Sequence, residues 1–541
     1  MKKTLQLVLS FSIAALAFAG PKISSDLRGL NPASTMDVIV QFKHPVSPVY
    51  RQLIGLLGGT FLSEFSAIQA ASFNVPVSLL PVLESIDEVA YISPDRRLRR
   101  SSVYDYTPQA VGSFGATSHA GSGVGVAVID SGINGNQDLT VPSVWTSRVV
   151  YQQSFVPGYG VSDDYGHGTH VAGIIAGNAT NSTGGFFTHQ VMGIAPAANL
   201  ISLRVLDPNG NGTDSSVIQA INQAIALKNV YNIRVINLSI GRPVFESYTQ
   251  DPLCQAVEAA WNAGIMVVVA AGNSGRDNSQ NTSGYATITS PGNDPYVLTV
   301  GAMKTESTPG TGDDMIASYS SKGPSLLDHI VKPDLVAPGN QIFSIQDPGS
   351  TLRNTYPQNV VQKSAIQGFG AYGPTSTYFM LSGTSMAAAV VSGASALLIG
   401  QDATLTPDQV KARLMKTASK TFPATSQVTV TDSATGSQTT FVSQYDVFTV
   451  GAGYLNIPAA LANTDLIPAG ATAQSPKAIT DTPSGNVYIV GGASAVGGTS
   501  AVWGSSAVWG SSAVWGSSVF VGGNSAVWGS SAVWGSSAVW G

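Results

Sequence analysis

Gly125-Val126-Ala127-Val128-Ile129-Asp130-Ser131-Gly132 is the stretch whose reading decides the fold. Its first five residues are all apolar or small, without the polar alternation of a half-exposed strand. Such a run must be covered on both faces, as a parallel strand between helical layers is. Val235-Ile236-Asn237-Leu238 and the run 265–270 repeat the pattern, and apolar helical segments are expected over 215–228, 253–262 and 384–398. Strand and helix therefore alternate, and residues 106–463 are expected to form an α/β domain with a central parallel sheet flanked by helices. Asp130 then stands at the carboxyl end of a buried strand, beside a tight Ser-Gly turn, where such sheets place their sites.

The composition agrees. Hydrophobic residues make up 43% of the 541 and charged residues 11%, which suits a globular enzyme and not a disordered chain. Twenty-six basic against thirty-one acidic residues leave a net charge of -5 and no polybasic block, so nucleic acid is not an expected partner. Cys254 is the single cysteine. It allows no internal disulfide, so stability outside the cell must come from packing or bound ions. In its helical, apolar setting it is expected to be a buried, inert thiol.

Three further segments flank the α/β domain. Lys2 and Lys3, an apolar stretch over 5–16 and Ala17-Phe18-Ala19 have the form of a signal peptide cleaved before Gly20, so residues 1–19 are read as a secretion signal. Residues 37–93 alternate strand and helix in an order that predicts a ferredoxin-like α+β unit: strands at 38–42, 67–75 and 89–92, helices at 49–57 and 76–86. Asp95-Arg96-Arg97-Leu98-Arg99-Arg100 follows as a solvated linker. From 464 the composition shifts to Ser, Gly, Ala and Val, and Ser-Ser-Ala-Val-Trp-Gly recurs with Trp503, Trp509, Trp515 and Trp528, Trp534, Trp540 each six apart. With no charge after Asp481, residues 464–541 read as a low-complexity tail, apolar on both faces of any extended strand and suited to self-association or surface attachment.

A hydroxyl nucleophile needs a base, a carboxylate to orient the base, and donors for the developing oxyanion. Asp130 is the carboxylate. His167, in Asp164-Tyr165-Gly166-His167-Gly168-Thr169-His170-Val171-Ala172-Gly173, is a base flanked by glycines that admit backbone and substrate. His170 lies on the same helical face, but no further His or Cys cluster completes a metal site, so it is read as a structural hydrogen-bonding residue. Ser385, in Leu381-Ser382-Gly383-Thr384-Ser385-Met386-Ala387, begins an apolar helix whose free N–H groups favour an oxyanion. Asn273, in Ala270-Ala271-Gly272-Asn273-Ser274-Gly275, adds a side-chain amide donor.

Together these motifs resemble the subtilisin family of serine peptidases, in the chain order Asp, His, Ser. The likeness extends to Ser320-Ser321-Lys322-Gly323-Pro324, Val336-Ala337-Pro338-Gly339 and Gly451-Ala452-Gly453-Tyr454-Leu455-Asn456. It implies a subtilisin-like catalytic domain and an acyl-enzyme endopeptidase acting on extended polypeptides. Ser239, Ile240 and Gly241 on one side, and Gly210, Asn211 and Gly212 on the other, are the implied edges that pair with substrate. Ala271 and Gly272, with Pro291-Gly292 nearby, are the implied wall of the pocket for the residue before the scissile bond. Residues 20–105 take the place of the family's inhibitory propeptide. No cofactor is implied for catalysis. Structural calcium is, with Asp138 and Asn181 matching one site approximately.

Two departures stand out. Ala388-Ala389-Val390 follows the serine motif where the family usually has proline and histidine, and the segment 342–379 is long enough to suggest a flap near the cleft. A catalytically idle adhesion protein is the alternative that the repeat tail raises, and the intact four-residue constellation opposes it. The absence of a Gly-x-Ser-x-Gly elbow around Ser385 opposes an esterase.

Overall fold

The computed structural model describes residues 22–490 apart from 25–26, 28–31, 33, 96–103, 114–119, 280, 369, 432–435, 468–470 and 482–485. The signal stretch 1–19, the basic residues 96–100 and the tryptophan hexads lie outside the described residues. The chain forms two compact units, the first built on residues 22–95 together with the described residues of 431–438, and the second on residues 104–430 and from 439 onward.

In the first unit, β1 (Thr35–Phe42), α1 (Pro48–Leu56), β2 (Thr60–Phe65), β3 (Ala70–Pro76), α2 (Leu80–Ser85) and β4 (Val89–Pro94) give an antiparallel sheet of order β2-β3-β1-β4. This is the expected ferredoxin-like arrangement. Its core is the inward face of β1 (Val38, Val40, Phe42) with Phe73, Val75, Ile54, Leu83 and Ile92. β2 was not legible, because Phe61 and Leu62 point to opposite faces and both are exposed. The strand expected from residue 67 starts at Ala70, after a 3-10 turn that ends on Gln69 in the left-handed region (φ 52°).

The second unit is wound around a parallel sheet. Its strands are β5 (Gly125–Asp130), β6 (Val149–Ser154), β7 (Asn199–Arg204), β8 (Ile233–Leu238), β9 (Met266–Ala270), β10 (Leu298–Lys304) and β11 (Leu335–Pro338). They lie in the order β11-β10-β9-β8-β5-β7-β6, all parallel. Every residue of β5 is buried, as its unbroken apolar run requires. After β5 the chain winds first toward β7 and β6, then reverses to β8 and beyond. The crevice outside the carboxyl ends of β5 and β8 is thus the topological switch point, where α/β sheets hold their ligands.

Four helices matter to the site: α3 (His167–Ala176), α4 (Asp214–Leu227), α5 (Pro252–Asn262) and α6 (Thr384–Gln401). α6 is buried from Thr384 to Ile399 and packs against α3 and beneath β8, β9 and β10. It is long and apolar enough to cross a membrane, but here it is the central helix of the unit. Ala388 and Ala389 are fully enclosed, so the departure from proline and histidine changes packing and leaves the helix continuous. Cys254, on α5, is buried, and burial pushes its thiol pKa well up.

Two expectations are corrected. Segment 342–379 is no flap: β12 (Ile342–Ile345), β13 (Val360–Gln362) and β14 (Pro374–Leu381) form an antiparallel sheet of order β12-β14-β13, with β12 packed on α3. Nor does the unit stop at 463, or start at 106. Asp105 is buried and accepts the Phe343 N–H at 2.7 Å. Beyond 463, Ala473, Ser475 and Ala478 are buried, and backbone bonds join Ser475 to Pro295, Pro476 to Val331 and Ala478 to His329. The small residues that look like linker in the sequence are small because they thread a packed surface.

This strap completes a buried charge cluster. Lys411 Nζ donates to the carbonyls of Pro295 (2.9 Å), Tyr296 (3.1 Å) and Val297 (2.9 Å) and to Ser475 Oγ (3.0 Å). Lys332 and Lys411 both pair with Asp334, and all three side chains are fully buried. Burial pulls the Lys411 pKa down to about 7, against the opposing pull of Asp334. Buried ions left without full partners cost several kcal/mol each. A chain ending after residue 490 is therefore expected to keep its peptide hydrolysis and melting temperature. One ending at Thr464, or Ser475→Ala, is expected to melt several degrees lower by calorimetry. Unchanged melting after the Thr464 truncation would show the strap to be dispensable.

Candidate active site

Asp130 ends β5 with its carboxylate enclosed, and His167 opens α3 beside it. His167 Nδ1 lies 2.8 and 2.9 Å from the two carboxylate oxygens of Asp130. The carboxylate fixes the tautomer: Nδ1 carries the hydrogen and Nε2 is left as the base. Two glycines permit the approach. Gly166 caps the helix with φ 96°, and a Cβ on Gly168 would collide with the Gly132 carbonyl.

A second carboxylate holds this junction. Asp163, 1% exposed, accepts the N–H groups of Gly166 (2.7 Å) and Thr169 (2.8 Å) and the Ser131 hydroxyl (2.7 Å). Ser131 Oγ in turn accepts the Gly168 N–H at 2.9 Å. Helix N-termini present unpaired donors, and a buried carboxylate needs them. Burial would lower the His167 pKa, but the charge and hydrogen bond of Asp130, joined by the charge of Asp163, raise it above the ordinary value. Sequence reasoning passed over Asp163. Its signal was a carboxylate four residues before the histidine in a glycine-rich turn, where an exposed loop residue is the ordinary reading.

His170 points the other way, its Nε2 3.1 Å from the Phe379 carbonyl on β14, while Ser344 on β12 donates to the His170 carbonyl at 2.7 Å. Burial, reinforced by the nearby His167, pulls its pKa down to about 3, so it stays neutral. The expected structural role matches this geometry. The small sheet of β12 to β14 is thus a buttress behind the histidine helix.

Ser385 is the second residue of α6. Its hydroxyl donates to the Ser239 carbonyl (3.0 Å), and Ser239 Oγ returns a bond to the Ser385 carbonyl (2.9 Å). Asn237 holds Ser239 from below (2.9 Å) and accepts from Ser392 on α6 (2.9 Å), so β8 and α6 are locked together. Asn273 Oδ1 accepts the Thr384 N–H (2.9 Å) and hydroxyl (3.1 Å), which orients the amide. Its Nδ2 is turned toward the serine loop: one point, the place of a Cβ on Gly383, lies 3.4 Å from Asn273 Nδ2 and 3.7 Å from the Ser385 nitrogen. Two hydrogen-bond donors thus lie near one point beside the serine, the pair of groups that an oxyanion requires.

A groove of about 450 Å³ runs from His167 between Gly210, Asn211 and Gly212 on one side and Ser239, Ile240 and Gly241 on the other. Leu206, Val217 and Leu253 make its far end apolar, with Arg242 and Asp214 paired at 2.9 Å. Among the described residues the backbone polar groups of Ile240 and Gly241 have no partner, so they form a free edge that can pair with an extended chain. Ala271 and Gly272 do not line this groove. Their backbone is paired internally, with Ala271 N–H on Val300 and Gly272 N–H on Thr384 Oγ1. The side chain wedged between Gly241 and Gly272 is Thr289, which sequence reasoning missed in favour of Pro291-Gly292.

Asp138 and Asn181 come together, but neither lines the groove. The Asn181 N–H donates to Asp138 Oδ1 (2.7 Å) and the Tyr378 hydroxyl to Oδ2 (2.7 Å). With both carboxylate oxygens committed to protein donors, the pair does not fit calcium. No group of three or more His, Cys, Asp or Glu residues suits a metal among the described residues.

Residues 121–445 match the peptidase S8 domain of the subtilase family. The chain belongs to that family. This subtilase is 34% identical over 395 residues to serine protease AprX of Bacillus subtilis (strain 168), covering 70% of this chain and 81% of that protein. It is 33% identical over 390 residues to subtilisin E of the same organism, covering 70% and 84%. Against the alkaline protease of Shouchella clausii it is 31% identical over 363 residues, covering 66% and 76%. It is a serine peptidase of the subtilisin type, a class that acts on polypeptides.

The pH dependence follows from His167. A base must be neutral to accept a proton, and the raised pKa places the acid limb of kcat/KM above the value for an unperturbed histidine. Asp163→Asn removes one of the raising charges and is expected to move that limb to lower pH. Asp130→Asn is expected to move it in the same direction and to lower kcat by about 10⁴-fold, a size general to such triads. A limb that stays in place in both variants would break the assignment.

Proposed function

We propose that the chain is a secreted precursor that matures by its own cleavage into a serine endopeptidase, with Asp130, His167 and Ser385 as the triad and Asn273 in the oxyanion hole. The observation that carries this reading is that two donors, Asn273 Nδ2 and the Ser385 N–H, lie near one point beside Ser385, whose hydroxyl is bonded to Ser239 on the groove that His167, the partner of Asp130, also lines.

The chemistry assigns each step to a named atom. In the free enzyme the Ser385 hydroxyl rests on the Ser239 carbonyl, and catalysis requires it to pass that hydrogen to His167 Nε2. Ser385 Oγ then bonds to the scissile carbonyl carbon, and the oxygen, now anionic, is held by the two donors. Asp130 stabilises the imidazolium, which protonates the leaving amine as the C–N bond breaks. Water repeats the sequence on the acyl-enzyme and regenerates Ser385. The groove holds substrate as an added strand along residues 239–241, which favours broad tolerance of sequence.

The ferredoxin-like unit serves as the intramolecular inhibitor until it is removed. The hexads serve association or surface attachment, an assignment that rests on their sequence alone.

Ser385→Ala is expected to abolish peptide hydrolysis and to leave residues 20–103 uncleaved by mass spectrometry. Maturation of the purified variant without added protease would overturn self-processing. Asn273→Ala is expected to lower kcat by roughly 10²- to 10³-fold with KM little changed. A kcat within about twofold of the parent would remove Asn273 from the oxyanion hole.

A further inference from the structure

The loop around Asp138 is expected from family resemblance to bind calcium, and the structure has already paired both carboxylate oxygens of Asp138. Asp138 sits in a single 3-10 turn (Gln137–Leu139), almost wholly enclosed and facing a second turn (Thr180–Ser182). One carboxylate oxygen accepts from Asn181 N–H and the other from the Tyr378 hydroxyl. The carboxylate is held as a hydrogen-bond acceptor and not as a free anionic ligand.

The neighbouring carbonyls are taken as well. Arg148 is buried, with 4% exposure, and its guanidinium donates to the backbone oxygens of Asp138 (2.8 Å), Ala198 (2.9 Å), Ala176 (2.5 Å) and Thr140 (3.4 Å). Asn136 Oδ1 accepts the Asp138 N–H and the Asn181 side-chain amide, both at 2.9 Å. Calcium needs six to eight oxygens at about 2.3–2.6 Å. Here both carboxylate oxygens of Asp138, Asn136 Oδ1 and the backbone oxygens of Asp138, Ala176 and Ala198 are each paired with an N–H or O–H donor.

We propose that this subtilase holds the Asp138 loop without calcium, with the Arg148 guanidinium and the Tyr378 hydroxyl as its resident cross-link. Tyr378 lies on β14, so the sheet of β12 to β14 supplies the donor as well as the buttress behind His170. Tyr378 is fully buried, and its ring belongs to the apolar cluster of Val191, Phe343, Val361 and Ile366, which positions the hydroxyl from below. The cross-link is a property of the fold and is independent of the catalytic reading.

The test is thermal unfolding of the full chain carrying Ser385→Ala, which prevents self-digestion, in excess chelator and in millimolar calcium. The two melting temperatures are expected to agree within about 1 °C, since an ion that does not bind the folded state cannot stabilise it. Tyr378→Phe in that background is expected to melt a few degrees lower in chelator, because it strips Asp138 of a partner. A calcium-dependent rise that Asp138→Asn abolishes would overturn the proposal. A rise that persists in Asp138→Asn would place the ion elsewhere and leave this loop as proposed. If Asp138→Asn fails to fold, terbium emission decides. A signal that disappears in Tyr378→Phe would overturn the proposal, and the absence of any such Tyr378-dependent signal would support it.

Discussion

The Ser131 hydroxyl lies between two buried carboxylates, 2.7 Å from Asp163 and 3.2 Å from Asp130, and accepts the Gly168 N–H. The rest of the active site depends on this contact. A carboxylate removed from water must find donors or lose its charge, and the first turn of α3 offers donors that no helix can satisfy within itself. Asp163 takes two of them, Ser131 takes a third, and the helix start is pinned against the end of β5. The imidazole of His167 then has one place to go, and its Nδ1 falls on Asp130. The Asp130–His167 hydrogen bond is thus the visible end of a larger network that runs through Ser131 and Asp163.

The same rule governs the rest of the second unit. Without a disulfide, its loop ends are drawn together by buried cations that donate to backbone carbonyls: Arg148 at the Asp138 turn, Lys411 and Lys332 beneath β10 and β11, and Arg204 on the Ser162 carbonyl and Asp164. Each replaces several long-range ties with one charged group. Each is also demanding, because a buried cation left without partners is costly. That requirement explains why Ser475, far along the chain, belongs to the same unit as Lys411.

Much of this was legible in one dimension. β5 could be read because burial on both faces leaves an unbroken apolar run, and α6 because a helix of 18 residues that is apolar all round must be enclosed on every side. Asp130, His167, Asn273 and Ser385 could be singled out because each sits in a local pattern that its chemistry requires: a strand end, a glycine-flanked turn, a second strand end and a helix start. The strand β2, the strap from 471 and the sheet made by β12 to β14 were not legible. Their segments are short, small-residued or alternately exposed, and the strap bonds to Pro295, Val331 and His329, more than a hundred positions back.

The sequence by itself determined the fold class, the layering of helix on parallel sheet and the residue types that carry the reaction, because periodicity and local motifs are consequences of short-range geometry. Tertiary structure alone decided which buried polar groups meet. Asp163 looks like a loop residue until α3 closes over it, Asp138 looks like a metal ligand until Tyr378 reaches it from 240 positions on, and Ser475 looks like linker until Lys411 and Asp334 are found beneath it. Burial decides the state of a charge, and burial is a property of the packed chain.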